Sequence, residues 1–224
     1  MFQSIAKPLG RIVFPEFSGL RIMMMPFRFD DPDTLDAEQL RGWKEPVTDL
    51  LERRPATGIG YLTIDEAIVE PGRTHRRPGL HVDGLSSYGG PSPYGGGVMP
   101  YGGGLTPYAG GTGGGMVLAA NVVGTRAWVK DFHGDVGVDG DCEHLRAQCP
   151  DSEAVVFGDH EAWWCGPLCV HEGVPAPTWT KRQLIRISYP SAAPHHWPYT
   201  PNVTGVVPIT PPGPDRSKQM AYRK

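Results

Sequence analysis

Short apolar runs recur along this chain, one of them partly alternating with polar positions, and helical spacing is confined to a few short stretches. The clearest run is Tyr61-Leu62-Thr63-Ile64-Asp65-Glu66-Ala67-Ile68-Val69-Glu70, closed by Pro71-Gly72. It reads as one long strand. Strand-like runs follow at 116–123, 126–130, 154–157, 162–165, 168–172 and 183–189, and shorter ones precede it at 12–14 and 21–25, the latter with a Met triplet. Gly124-Thr125 between two of these runs predicts a hairpin. Helical spacing shows mainly near the N-terminus. Over 33–43, Asp33 or Thr34 can cap, Asp36 and Glu38 fall in the first turn, and Leu35 and Leu40 mark an apolar side. A second helix opens at Pro46, carries Val47, Leu50 and Leu51, and stops at Arg53-Arg54-Pro55. A third, short one is expected around 142–147. About eight strands in series, with N-terminal helices, predict a mainly β fold: a jelly roll of two sheets whose small barrel holds a ligand at its mouth.

Composition sharpens this. Thirty Gly and 24 Pro in 224 residues favour turns over bundles. The chain reads as a single domain, 1–224. Residues 1–58 form N-terminal helical support, 60–190 a β core, and 191–224 a Pro-rich extension. Within the core lies a Gly/Tyr-rich insertion, 88–115, in which Tyr88, Tyr94, Tyr101 and Tyr108 recur six or seven residues apart. It is read either as a flexible loop or as a lid over a reactive centre. A net charge of −3 with scattered Lys and Arg disfavours nucleic acid as a partner. No apolar run approaches the ~18 residues of a membrane span, and no secretory h-region opens the chain. The expectation is a soluble cytoplasmic protein. Cys142, Cys149, Cys165 and Cys169 are then reduced thiols. Zinc at Cys142, His144 and Cys149 is the sharper alternative, although their spacing matches no standard finger or ribbon.

Candidate chemistry centres on Gly79-Leu80-His81-Val82-Asp83-Gly84. On an extended segment His81 and Asp83 point to one side. An imidazole and a carboxylate converging there make two thirds of the two-His-one-carboxylate triad that holds non-haem Fe(II) with open positions. His81 as a core histidine and Asp83 as a turn residue are the plainer readings. The third ligand should come from a distant strand. His171 is the candidate, with His160, His133 and His144 as rivals. Arg182 and Arg186 share a strand face with Leu184, so both guanidiniums can look into a barrel. Asn121 could touch a ligand there or be an ordinary polar strand position. The basic turn Arg73-Thr74-His75-Arg76-Arg77 is either solvated surface or an attractor for an anionic substrate.

The pattern HxD, then a late His, then Arg about ten residues on, resembles that of the Fe(II)/2-oxoglutarate-dependent oxygenases. His81, Asp83, His171 and Arg182 match it in order and spacing over residues 60–190, and Arg186 matches a second basic position of some members. The resemblance implies a double-stranded β-helix preceded by helices. It implies Fe(II) on His81, Asp83 and His171, and 2-oxoglutarate with its C5 carboxylate on Arg182. Arg186 would approach the C1 end or the substrate. The implied reaction uses O2 to hydroxylate or otherwise oxidise a small-molecule or amino-acid-like substrate. The Gly/Tyr tract is not part of that family pattern. Two alternatives stay open: the same iron triad without 2-oxoglutarate, the substrate itself chelating the metal, and a non-enzymatic β-sandwich binding module.

Overall fold

Two rows of β-branched and leucine side chains organise the molecule. On the strand Thr180–Ser188, Ile185 and Ile187 point to one side and Leu184 to the other, and each side joins a separate buried cluster. The computed structural model describes residues 1–83, 114–137, 140–189 and 203–206. The expected lid at 88–115 falls outside these residues apart from Gly114 and Gly115, and the C-terminal extension falls outside them apart from 203–206.

Among the described residues there are eleven strands: β1 Phe2–Gln3, β2 Ala6–Arg11, β3 Arg21–Arg28, β4 Ile59–Val69, β5 Met116–Ala120, β6 Thr125–Trp128, β7 Asp131–Phe132, β8 Val155–Val156, β9 Glu161–Cys165, β10 Val170–Gly173 and β11 Thr180–Ser188. Six form one antiparallel sheet in the order β2-β9-β5-β11-β4-β3, and three form a second, β10-β6-β8. The segment around His81 extends the second sheet. His81 forms an antiparallel bridge to His171 on one side and to Asp141 on the other. Taken from β4 onward, the chain visits the large sheet, the small one at His81, and the large one at β5. It then enters the small one at β6 and β8, the large one at β9, the small one at β10 and the large one at β11.

The layers follow from the alternation. Outside the large sheet, Leu62, Ile64, Ile185 and Ile187 pack on the helix α1, Lys44–Arg53, through Val47, Leu50 and Leu51. Each such side chain contributes roughly 1.5–3 kcal/mol by leaving water. Between the sheets lie Leu118, Leu184, Ala127 and Cys169. Outside the small sheet, Leu80, Val82, Trp128 and Val170 share a third cluster with Cys142 and Cys149.

The N-terminal region departs from expectation. The helices foreseen there are not seen as such: one α-helix stands at Lys44–Arg53, and 33–43 is instead two 3-10 turns, Pro32–Leu35 and Glu38–Leu40. Leu35 and Leu40 are both buried. Five residues apart, they would leave different sides of one helix. An extended Ala37 (ψ 136°) breaks the helix and lets both point inward. The strand expected at 12–14 lies earlier, at β2, a sheet edge where Pro8 and a bulge at Gly10 are tolerated. β5 and β6 do not form the expected hairpin. Residues 121–124 carry the chain from one sheet to the other, and the Asn121 amide binds β11 backbone, accepting from Gln183 N and donating to Lys181 O. The segment at 142–147 is a 3-10 turn.

Candidate metal centre

The hydrophobic layers aim the ligands. Leu80 and Val82 are buried in the outer cluster, so His81 between them faces the space between the sheets. Val170 and Trp128 are buried on the same outer side, so His171 and its partner Ala127 also face inward. His81 and His171 exchange both backbone hydrogen bonds, at 2.9 and 3.0 Å. Their rings stand 4.4 Å apart, centroid to centroid.

Each ring is oriented the same way. His81 Nδ1 lies 2.8 Å from Gly79 O and His171 Nδ1 lies 2.9 Å from Cys169 O, each the carbonyl two residues back. That contact makes Nδ1 the donor, so in the neutral ring Nε2 is the nitrogen with the lone pair. Both Nε2 atoms point to Asp83, at 3.8 Å from Oδ1 and 3.9 Å from Oδ2. One ligand atom from each of His81, Asp83 and His171 falls within 4.8 Å of the others. Two imidazole nitrogens and one carboxylate oxygen on one side of a point suit a divalent first-row metal and leave its other positions open. Burial opposes a charge on His171, but the Cys169 side chain and Asp83 outweigh it and raise the ring to about 9, so a metal would have to displace a proton there.

The charges around them are arranged for the ionised carboxylate. The Asp83 side chain keeps 29% of its surface accessible. Burial opposes its charge, but Arg186, His171 and His81 outweigh that and hold the carboxyl well below the usual range. Arg186 Nη1 donates to Asp83 Oδ2 at 2.8 Å. Its Nη2 rests on the sulfur of Met24. Met24 sits in a β-bulge with a positive φ of 51° and donates its N–H to Thr63 Oγ1. The bulge turns the thioether towards Arg186, a re-aiming that bulges beside functional sites commonly perform. Burial, then the neighbouring imidazole, pushes His81 down to about 4.

Arg182 lies on the same inward face, two alternations before Arg186. It is fully buried, and among the described residues no carboxylate meets it. Its one hydrogen bond is a long one, 3.4 Å, from Nη1 to Val174 O, and Nε has no partner. Burial alone lowers it to about 10. A Cβ at Gly124 would fall 0.8 Å from Nη2, so only glycine lets the guanidinium lie there.

The rival histidines stand elsewhere. His160 is in a turn at φ 57° against Phe14, His133 N donates to Gln148, and His144 Nε2 contacts Asp135 O. All four cysteines are free thiols and buried. Among the described residues the one gathering of His, Cys, Asp or Glu that can hold a metal is His81, Asp83 and His171. Sequence reasoning read Met24 only as part of a Met triplet, a buried strand or a soft binding surface, and Gly124 only as a hairpin turn, and did not single out Thr63. Nothing in the chain announces the bulge or the close approach. Among the described residues no helix is long and apolar enough to cross a membrane. Comparison with protein-family models, with curated proteins and with solved structures finds no match.

Proposed function

We propose that this protein is an Fe(II)- and 2-oxoglutarate-dependent oxygenase of double-stranded β-helix type, oxidising a small-molecule or amino-acid-like substrate. The observation that carries the reading is Arg182. A buried guanidinium without a carboxylate costs several kcal/mol. An anionic ligand removes that cost, and this one shares a strand and a face with Arg186, which is bonded to the triad's carboxylate. The alternation of β4, the His81 segment, β5, β6, β8, β9, β10 and β11 between two sheets supports the double-stranded β-helix.

In this reading His81 Nε2, His171 Nε2 and Asp83 Oδ1 hold the metal, and Arg186 keeps Oδ2 occupied so that the carboxylate binds through one oxygen. Arg182 receives the far carboxylate of 2-oxoglutarate with its planar pair of donors. Iron with the keto acid and O2 supplies the oxidising power, the keto acid leaving as succinate and CO2. Leu118, Leu184 and Ala127 keep water from the space between the sheets.

The test is anaerobic addition of Fe(II) and 2-oxoglutarate, followed by oxygen. A visible metal-to-keto-acid band and then succinate are expected, with both lost in His171→Ala. Band and succinate both absent from protein that binds Fe(II) would sink the proposal. The variant Arg182→Gln separates the two iron readings: loss of 2-oxoglutarate affinity with metal binding kept favours this one.

A further inference from the structure

The space between the sheets holds more positive charge than the triad and one dicarboxylate can use. Among the described residues, four guanidiniums reach it or its rim, those of Arg21, Arg76, Arg182 and Arg186. They face two carboxylates, Asp65 and Asp83, while Arg77, whose charge bears on His81, is paired with Asp141 and leaves the excess unchanged. Asp65 is on the inward face of β4, opposite Leu184. It takes Arg21 Nε on one oxygen and Arg76 Nη1 on the other, both at 2.9 Å. His75 Nε2 stands 3.5 Å from Asp65, and its side chain is only 3% exposed. Nε2 faces Asp65, and Nδ1 has no hydrogen-bond partner. Arg76 also touches the sulfur of Met23, next to the Met24 that carries Arg186, and its charge bears on both Asp83 and Arg186. The cluster on Asp65 therefore adjoins the metal centre.

The unsatisfied groups agree with the charge. Among the described residues, the buried side-chain atoms lacking a hydrogen bond on this side of the sheet are Arg182 Nε, Arg186 Nε, Trp163 Nε1 and His75 Nδ1. The arginine and tryptophan nitrogens among them are donors only. Buried donors without acceptors call for a ligand rich in acceptors. A divalent metal and a keto diacid cancel each other's charge, so the positive excess persists when both are bound. By contrast, the arginines outside the small sheet are matched: Arg126 and Arg146 share Glu172, with Asp151 and Glu143 beyond.

We propose that Arg76, Arg21 and His75, gathered on Asp65, form a second anion site beside the metal, which receives a carboxylate or phosphate group of the organic substrate. The identification of that anion as the substrate's rests on the oxygenase reading; the site itself does not. Asp65 is the positioning residue, holding the two guanidiniums at a fixed separation.

The experiment uses the full chain loaded with Mn(II) and saturated with 2-oxoglutarate. Water-proton relaxation at the Mn(II) is followed while inorganic phosphate, acetate or neutral glycerol is added. A saturable change with phosphate or acetate and none with glycerol is expected, and the stronger of the two anions names the acid group. Arg76→Gln should weaken that response ~10-fold, as for a lost charge-assisted hydrogen bond. The more exposed Arg21→Gln should weaken it less, and both variants should keep wild-type affinity for Mn(II) and 2-oxoglutarate. No saturable response to either anion, or equal responses in both variants and wild type, overturns the inference. If 2-oxoglutarate fails to bind the Mn(II)-loaded chain while the anion response still depends on Arg76, the oxygenase reading falls and the anion site stands.

Discussion

The two faces of the large sheet are built from the same strands to opposite ends. On β4 and β11 the outer face presents Leu62, Ile64, Ile185 and Ile187, all wholly buried, to α1. The inner face of the same strands presents Thr63, Asp65, Arg182 and Arg186. Alternation lets one backbone serve both, because neighbouring side chains never share a face. Stability is concentrated on the outer face, so the inner one can carry charges that a folding argument alone would remove.

The division can be broken from either side. The largest effect is expected from Ile185→Ala, which empties a fully buried position: a loss of about 2–5 kcal/mol in urea unfolding, with Mn(II) affinity unchanged in the cold. Loss of metal binding in a still folded variant would show that the faces are not independent.

Next comes Asp65→Asn, expected to cost roughly 1–3 kcal/mol at neutral pH by leaving two guanidiniums with a neutral partner. Burial raises the Asp65 pKa, but His75, Arg76 and Arg21 together bring it well below the usual carboxylate range. A depressed folded-state pKa means that the contribution is full above the unfolded value, about 3.9, and fades as the pH falls below it. The gap between wild type and variant should therefore be widest at neutral pH and close in acid. A gap that widened in acid would reverse the assignment.

A smaller effect of opposite sign is expected at Arg182. Removing an unpaired buried charge in Arg182→Met should raise the unfolding free energy of the ligand-free protein by about 1 kcal/mol, seen as a higher Tm. The same change should abolish 2-oxoglutarate binding. A lower Tm would make Arg182 a structural residue. The smallest effect belongs to the surface of α1: breaking the Arg53–Asp49 pair, one helical turn apart, should change stability by no more than about 0.5 kcal/mol.

What could be read from the chain alone was whatever is local. His81 and Asp83 meet because extended backbone puts i and i+2 together, and Arg182 and Arg186 share a face for the same reason. The strand at β4 announced itself by partial alternation, and those at β8 to β11 as short runs rich in apolar residues. Sheet membership did not, since the sequence from Met116 to Trp128 does not say that its two strands lie in different sheets. β2 was hidden because Pro8 and Gly10 interrupt any pattern, and an edge tolerates both. The cluster on Asp65 was hidden for a third reason. Arg21, Asp65, His75 and Arg76 come from three segments and meet only through long-range packing.

The backbone exchange between His81 and His171 has one more consequence. The two residues are a hydrogen-bonded antiparallel pair, whose α-carbons stand about 5.5 Å apart wherever such pairs occur. The distance between the imidazoles is thus gauged by the ladder, before any ion arrives. A slip of one residue would put Val170 or Glu172 opposite His81 and turn the His171 ring into the apolar layer behind the small sheet. Strand register and the geometry of the candidate site are one specification here, so a mispaired chain would lose the proposed metal site.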